Sequence, residues 1–174
     1  LAWACLEDAG YCGDRMRGSD TGVFVGVDHS YPMDYKPHDA EHNLLDMTGS
    51  MSSVLASRIS YVLDLKGPNM VVDTACSSGL VAIHQACAAL RNGECELALA
   101  GGLHLLSVTD ASFDGVASEE GVLSAFDRYS TGTVWGEGFG FVTLKLADQA
   151  IADGDHIYAI IRGIAINNDG HTSG

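Results

Sequence analysis

The chain of 174 residues is 47% hydrophobic and 18% charged, which is typical of a globular protein long enough to bury one sizeable core. Nine Lys and Arg residues stand against 23 Asp and Glu residues, and the resulting net charge of −14 argues against nucleic-acid binding. No apolar run reaches the ~18 residues of a membrane span, so the composition predicts no membrane partner either.

The predicted secondary structure alternates helices with strands. Apolar side chains recur at helical spacing in two stretches, whereas short β-branched or glycine-bracketed runs predict strands. In chain order, the prediction is a helix over 2–9, a strand over 21–27, a loop over 29–43, a helix over 48–65, a strand over 70–73, a helix after residue 76 that ends at 91–93, strands over 96–101 and 139–146, a helix over 147–153 and a strand over 157–166. This alternation indicates an α/β layered architecture.

The clearest chemical signal is the segment VVDTACSSG at residues 71–79. It predicts a strand, a tight turn and a helix with Cys76 in its first turn. The helix dipole and unpaired backbone N–H groups at that position favour a thiolate. Such cysteines have pKa values lowered from about 8.5 to roughly 3.5–7.5. The small neighbouring residues leave room for a substrate, so we predict that Cys76 is a nucleophile.

The other cysteines support a different interpretation. A buried cysteine usually acts as a small hydrophobic side chain, and this applies to Cys5, Cys12, Cys87 and Cys95. The five cysteines are odd in number and lack the paired spacing of metal ligands. The sequence therefore predicts a reduced, cytoplasmic protein without a metal site.

Two further patterns have weaker chemical implications. His84 follows Cys76 by eight residues on the same predicted helix, a spacing that turns it away from the thiol, so we expect a structural histidine. The segment GEGFG at 136–140 lacks phosphate-loop spacing and leads into a strand. It predicts a turn near the active-site wall, with Glu137 buried and hydrogen-bonded. His104, like the histidines near the end of the chain, falls in no recognisable partner motif.

Several further motifs accompany the segment DTACSSGLVAIH at residues 73–84. They are SRISY at 57–61, LKGP at 65–68, AGG at 100–102, FD at 126–127, GEG at 136–138, DGD at 153–155 and NNDG at 167–170. Together, and in this order, they resemble β-ketoacyl synthases, above all the ketosynthase domains of modular polyketide synthases. The resemblance extends nearly from one end of the chain to the other.

This resemblance implies a thiolase-like layered α/β fold, of which the chain would be most of the N-terminal half only. We therefore expect residues 1–174 to be a partial ketosynthase domain, truncated at both ends. The family's two catalytic histidines lie in later segments that these residues do not contain. The isolated chain is accordingly expected to catalyse no condensation.

The resemblance also implies a decarboxylative condensation, in which Cys76 accepts an acyl chain from an acyl carrier protein. That partner would carry phosphopantetheine, and no cofactor is expected to bind this chain directly. The substrates would be acyl and malonyl-type thioesters, and a homodimer is implied because family members are homodimers. By analogy Met47 and Phe113 help to line the acyl tunnel, although a role in the apolar core fits them equally well.

Three alternative functions remain compatible with the sequence. A fatty-acid-type 3-oxoacyl synthase would share these motifs and differ in its neighbouring domains. A non-catalytic, ketosynthase-like partner subunit usually lacks the cysteine, so Cys76 argues against it. A cysteine hydrolase would need a histidine placed beside Cys76 within this chain.

Overall fold

The computed structural model describes residues 1–28, 48–49, 51–106, 116–118 and 120–172. Within these ranges, helices alternate with strands as the sequence predicts. The helices are α1 (Ala2–Asp8), α2 (Ser53–Leu63), α3 (Ser78–Arg91) and α4 (Ala147–Asp153), and the strands are β1 (Thr21–Val27), β2 (Asn69–Val72), β3 (Leu97–His104) and β4 (Gly138–Leu144). Short 3-10 turns lie at Gly13–Met16 and Ala75–Ser77.

In the described part of the chain, the four strands form one sheet in the order β2-β1-β3-β4. β1 lies between β2 and β3 and runs parallel to both, because helices α2 and α3 provide the crossover connections. β4 pairs with β3 in the antiparallel direction. The parallel strands bring their carboxyl ends to one edge of the sheet, where ligand sites of open α/β sheets form.

The two faces of the sheet are packed with side chains of different size. Helices α1 and α2 cover what we call the large-residue face, whose buried hydrophobic residues are Leu6, Met16, Val23, Val25, Val27, Ala56, Leu65, Leu97 and Leu99. Helix α3 covers the opposite, small-residue face, whose buried residues are Phe24, Ala82, Ala86, Ala89, Leu90, Cys95, Ala98 and Ala100. The two sets alternate along β1 and β3, as the period of two in a strand requires.

A glycine row crosses the small-residue face near the carboxyl ends of the parallel strands. Gly26 of β1 is in register with Gly102 of β3, which is in register with Gly140 of β4. A Cβ atom on Gly26 would lie 2.4 Å from the carbonyl carbon of Ser78 and 2.5 Å from the nitrogen of Gly79. The absence of a side chain at position 26 therefore lets the first turn of α3 lie directly on the sheet.

An ionic cluster joins the segment after α1 to the end of β4. Lys145 Nζ donates to the Tyr11 hydroxyl at 2.6 Å and to Asp155 Oδ2 at 2.9 Å, and it also pairs with Asp153. Burial lowers the pKa of Lys145, but hydrogen bonds to Asp153, Asp155 and Tyr11 outweigh burial and raise it overall. Hydrogen bonds from Lys145 and Tyr11 lower the pKa of Asp155. We call these four residues the Lys145 cluster.

The predicted elements that fall on described residues agree with the structure to within about three residues, except at the helix predicted over 48–65, the strand predicted over 157–166 and the start of α3. The loop predicted over 29–43 lies outside the described residues. β1 and α4 begin and end at the predicted residues. The helix predicted over 48–65 ends at Leu63, because Asp64 takes a left-handed φ of 53°. The strand predicted over 157–166 is wrong, since these residues form no strand. An alternating apolar pattern indicates an apolar face, whereas a strand also needs a hydrogen-bonding neighbour, and none pairs with this segment among the described residues.

Candidate active site

Cys76 lies in the 3-10 turn between β2 and α3, and not in the first turn of the helix as the sequence predicts. The reason is Ala75, whose φ of +54° falls in the left-handed region that residues with a side chain rarely adopt. This conformation interrupts right-handed helical backbone at residue 75, and the chain passes through the 3-10 turn before α3 begins at Ser78. The thiol therefore precedes the start of the helix by two residues.

Side-chain hydrogen bonds hold this turn on both sides of Ala75. The Thr74 N–H donates to Ser78 Oγ at 2.8 Å, and Ser78 Oγ donates to the Ala75 carbonyl at 2.7 Å. The Ala75 N–H donates to Asp73 Oδ1 at 3.1 Å. Ser77 Oγ lies 2.8 Å from the Thr74 carbonyl oxygen. The Asp, Thr and two Ser residues of the motif thus hydrogen-bond within the turn that carries the cysteine, and of the two serines only Ser78 is buried.

A cleft of about 370 Å³ opens beside Cys76, at the carboxyl ends of β1 and β3. Its floor is the glycine row, together with Gly79 at the start of α3. Larger residues complete its lining, among them Leu103, His104, Trp135 and Phe139. Of these, His104 lies on the same face of β3 as Gly102. The volume suits a small organic group.

The amino end of α3 supplies the electrostatic environment of the cleft. The helix is 14 residues long, and Ser78 and Gly79 of its first turn line the cleft together with Cys76. The first four N–H groups of an α-helix have no acceptor within the helix, and its dipole is positive at this end. Negative charge that develops on a thiol or a thioester oxygen in the cleft is stabilised by both effects.

Exposure separates Cys76 from the buried cysteines. Cys76 is exposed and lines the cleft, whereas Cys87 and Cys95 are 9% and 5% exposed. Burial raises the pKa of the Cys87 and Cys95 thiols, which keeps them protonated and unreactive at neutral pH. All five cysteines are free thiols. The interpretation as buried structural cysteines is therefore confirmed for Cys87 and Cys95. It is wrong for Cys12, which is exposed, and Cys5 is only partly buried.

No role for His104 follows from the sequence motifs, and the structure places it in the lining of the cleft at the end of β3. The signal for this position is the period of two in the strand, because His104 follows Ala98, Ala100 and Gly102 on the small-residue face. Neither His104 nor His84 makes a hydrogen bond with Cys76 among the described residues. His104 Nε2 and His84 Nδ1 are both buried and have no hydrogen-bond partner within that part of the chain.

The segment 136–140 lies beside the cleft, as predicted, with Gly138 and Gly140 in its lining. Glu137 is hydrogen-bonded, because its Oε1 accepts the Leu106 N–H at 2.8 Å. The prediction that Glu137 is buried is wrong. Its carboxylate holds the backbone just after β3 from the exposed side, where no burial is needed.

Two predicted tunnel residues, Met47 and Phe113, lie outside the described residues. In the ranges that the structure describes, no group of three or more His, Cys, Asp or Glu side chains is arranged to hold a metal ion. None of the helices in those ranges combines the length and the apolar character needed to cross a bilayer.

Comparison with protein families and curated sequences gives one consistent result. Residues 1–150 match the family model described as the β-ketoacyl synthase N-terminal domain. Polyketide synthase PksM of Bacillus subtilis strain 168 is 46% identical over 178 residues, which covers 99% of this chain and 4% of that protein. The probable polyketide synthase 1 of Dictyostelium discoideum is 42% identical over 182 residues, covering all of this chain and 6% of that protein.

Solved structures agree with this result. The ketosynthase from module 6 of the bacillaene synthase of Bacillus subtilis 168 has a TM-score of 0.83 and 38% identity, covering 99% of this chain and 30% of that one. The oxazolomycin ketosynthase domain OzmH KS7 of Streptomyces albus JA3453 has a TM-score of 0.84 and 36% identity, covering 97% and 30%. The predicted layered α/β fold of the thiolase-like type is confirmed, and the chain spans less than a third of these solved domains.

Proposed function

The chain belongs to the β-ketoacyl synthase family, and we propose that it is the nucleophile-bearing part of a ketosynthase that extends polyketide chains. The observation that carries this proposal is the position of Cys76, an exposed thiol on a strained turn at the amino end of a helix, beside a cleft with a glycine floor. The proposed reaction is a decarboxylative Claisen condensation in two stages.

In the first stage, Cys76 accepts the acyl chain. The thiolate attacks the carbonyl carbon of an acyl thioester on the phosphopantetheine arm of an acyl carrier protein. The oxyanion that forms is stabilised by backbone N–H groups near the start of α3, and we assign the N–H of Cys76 itself to this role. The carrier's thiolate then leaves, and the acyl group stays on Cys76 as a thioester.

In the second stage, a malonyl-type thioester loses CO2. The resulting carbanion attacks the carbonyl carbon of the acyl-Cys76 thioester, a carbon–carbon bond forms, and the Cys76 thiolate is the leaving group. The two histidines that promote decarboxylation in this family are not among these 174 residues. We therefore predict that the isolated chain produces no β-ketoacyl product, and turnover by it would overturn that prediction.

The test of the proposal is acyl-enzyme formation in the full-length protein. Incubation with an acyl carrier protein thioester should add the acyl mass to the peptide that contains Cys76. We expect Cys76→Ala to abolish both the adduct and condensation, with a loss of at least about 10³-fold. Cys87→Ala is the matched control, because it removes a buried thiol that lies outside the cleft, and its adduct should persist. An acyl adduct that survives in Cys76→Ala would refute the assignment.

The proposed partners follow from the same reaction. An acyl carrier protein supplies the thioesters, and phosphopantetheine arrives as part of that substrate. We also propose a homodimer, which the edge position of β2 supports, together with exposed apolar side chains at Met70 and Leu80. A cytoplasmic location is supported by five free cysteines.

The alternatives from the sequence are separated by specific measurements. A fatty-acid-type synthase would carry out the same chemistry, and the neighbouring domains of the full-length protein distinguish it. The cysteine hydrolase is disfavoured because no described histidine is hydrogen-bonded to Cys76, and it predicts free acid as the product from acyl thioesters. A non-catalytic partner subunit would show no acyl adduct at Cys76 at all.

A further inference from the structure

The first residue of α3, Ser78, has a buried hydroxyl whose hydrogen bonds both go to the turn before the helix. Ser78 is 4% exposed. Its Oγ accepts the Thr74 N–H at 2.8 Å and donates to the Ala75 carbonyl at 2.7 Å. A serine hydroxyl has a single proton to donate, so the Ala75 carbonyl takes all of its donor capacity.

These two bonds lie on either side of the strained residue. Ala75 has a φ of +54°, which a residue with a Cβ atom adopts only when its surroundings enforce it. The Ser78 hydroxyl fixes the N–H of Thr74, which precedes Ala75, and the carbonyl of Ala75 itself. A change at Ser78 therefore releases the torsion angles that determine where the next residue, Cys76, is placed.

We propose that Ser78 is a positioning residue for Cys76, and that its hydroxyl holds the strained turn so that the thiol sits at the cleft in the geometry needed for attack on an acyl thioester. This inference rests on the proposed function, because the acyl thioester is the substrate of that reaction. Ser78 itself does not touch the reacting atoms.

The neighbouring serine offers a matched control. Ser77 Oγ lies 2.8 Å from both the carbonyl oxygen and Oγ1 of Thr74, but Ser77 is exposed. Water can replace an exposed hydroxyl, whereas removal of a buried one leaves its partners unsatisfied. The two serines therefore make similar local contacts and should differ sharply in their effect on Cys76.

The experiment compares Ser78→Ala, Ser78→Thr and Ser77→Ala in the full-length protein. Cys76 acylation is measured with an acyl-N-acetylcysteamine thioester over a range of concentrations, and Cys76 alkylation with iodoacetamide is measured in parallel. For Ser78→Ala we expect the maximal acylation rate to fall about tenfold to hundredfold, with the half-saturating concentration within about twofold. Alkylation needs an accessible thiolate but no alignment with a bound thioester, so it should change by less than about threefold. Ser78→Thr, which keeps the hydroxyl, and Ser77→Ala should acylate within about threefold of the wild-type rate.

Each outcome distinguishes this inference from the proposed function. If the wild-type protein is not acylated at Cys76, the proposed function fails. If the wild type is acylated and a folded Ser78→Ala variant matches its rate, the positioning role is wrong. A merely structural role would lower the melting temperature without changing the acylation rate below it. Should Ser78→Ala not fold, Ser78→Cys keeps the shape of the side chain with a somewhat larger atom and weakens both hydrogen bonds. Wild-type acylation of Cys76 in that variant would also overturn the inference.

Discussion

The large-residue face and the small-residue face of the sheet are built from alternate residues of the same strands, yet they are packed in opposite ways. On the first face, leucine and valine side chains fill the space between the sheet and α1 and α2. On the second face, alanines surround two large side chains, Phe24 and Leu90, and at Gly26 no side chain separates the start of α3 from the strand. The glycine row of the second face forms the floor of the cleft beside Cys76.

The two faces therefore contribute differently to the protein: one mainly stabilises the fold, and the other sets the position of α3 on the sheet. Buried aliphatic area on the large-residue face contributes roughly 25 cal/mol per Å² to folding and tolerates changes of shape. The glycine row contributes little buried area and instead sets the distance between α3 and β1. The comparison therefore predicts that substitutions on one face change mainly stability, while those on the other change mainly the chemistry of Cys76.

The largest effect is expected from Gly26→Ala. The added Cβ would collide with the backbone of Ser78 and Gly79, which cannot rotate away as a side chain can. We expect a loss of about 3 kcal/mol in the free energy of unfolding and about a hundredfold slower acylation of Cys76. Urea denaturation and acyl-adduct mass spectrometry measure the two quantities.

Val25→Ala is the matched control for this prediction, because Val25 is the adjacent residue of β1 and faces the opposite side. It should destabilise the protein by about 2 kcal/mol and leave acylation within about twofold of the wild-type rate. Equal effects of the two substitutions on acylation would remove the distinction between the faces.

A smaller effect is expected from Lys145→Met, which removes the cation of the Lys145 cluster at the edge of the large-residue face. Asp155 would lose its main hydrogen bond, and we expect a destabilisation of about 1–2 kcal/mol with acylation unchanged. Lys66→Met, which removes a cation from an exposed ion pair with Asp64, is the control and should leave stability unchanged within error.

The pH dependence of this effect follows from the two pKa shifts. The pKa of Asp155 is lowered, so its contribution is present above the ordinary carboxyl value of about 3.9 and is lost as pH falls through the folded-state pKa. The pKa of Lys145 is raised, so its contribution is present below about 10.4 and is lost as pH rises through the folded-state pKa. The difference in stability between wild type and Lys145→Met should therefore be greatest between about pH 4 and pH 10 and shrink in acid. A pH-independent difference would contradict the role of charge.

The smallest effect, and one of opposite sign, is expected from Ala75→Gly. Glycine adopts a positive φ without steric cost, so this substitution should raise the free energy of unfolding by about 0.5–1 kcal/mol. Ala88→Gly, in the interior of α3, should lower it by about 1 kcal/mol because its backbone is helical. Urea denaturation of the two variants compares them directly, and a loss of stability in both would show that Ala75 is not strained.

The sequence allowed β1, α4 and the strand–turn–helix arrangement around Cys76 to be predicted because each has a local signal. β1 is bracketed by polar and turn-forming residues, and Gly154, with a φ of +72°, ends α4. Along β1, Phe24 and its neighbouring glycines face one side of the sheet and the three valines face the other. All of these residues are apolar, so the sequence pattern does not show this period of two.

Other features have no local signal and could not be predicted. The start of α3 depends on the torsion angle of Ala75, which hydrogen bonds from Ser78 help to hold. Tyr11 and Lys145 are 134 residues apart in the chain, and only the fold brings them together. In the segment 157–166 a local signal is present but misleading. Its apolar pattern predicts a strand, and no neighbouring strand pairs with it among the described residues.

The glycine row also limits how the substrate range of this site can be altered. Any substitution of a glycine adds side-chain atoms, and at Gly26 an added Cβ would collide with the backbone of Ser78 and Gly79. No substitution can deepen the floor of the cleft, so a bulkier acyl chain must be accommodated by trimming the walls. His104, which lies on the same face as the glycine row, and Trp135 are larger residues of the cleft lining, and engineering of selectivity for the proposed acyl substrate should begin there.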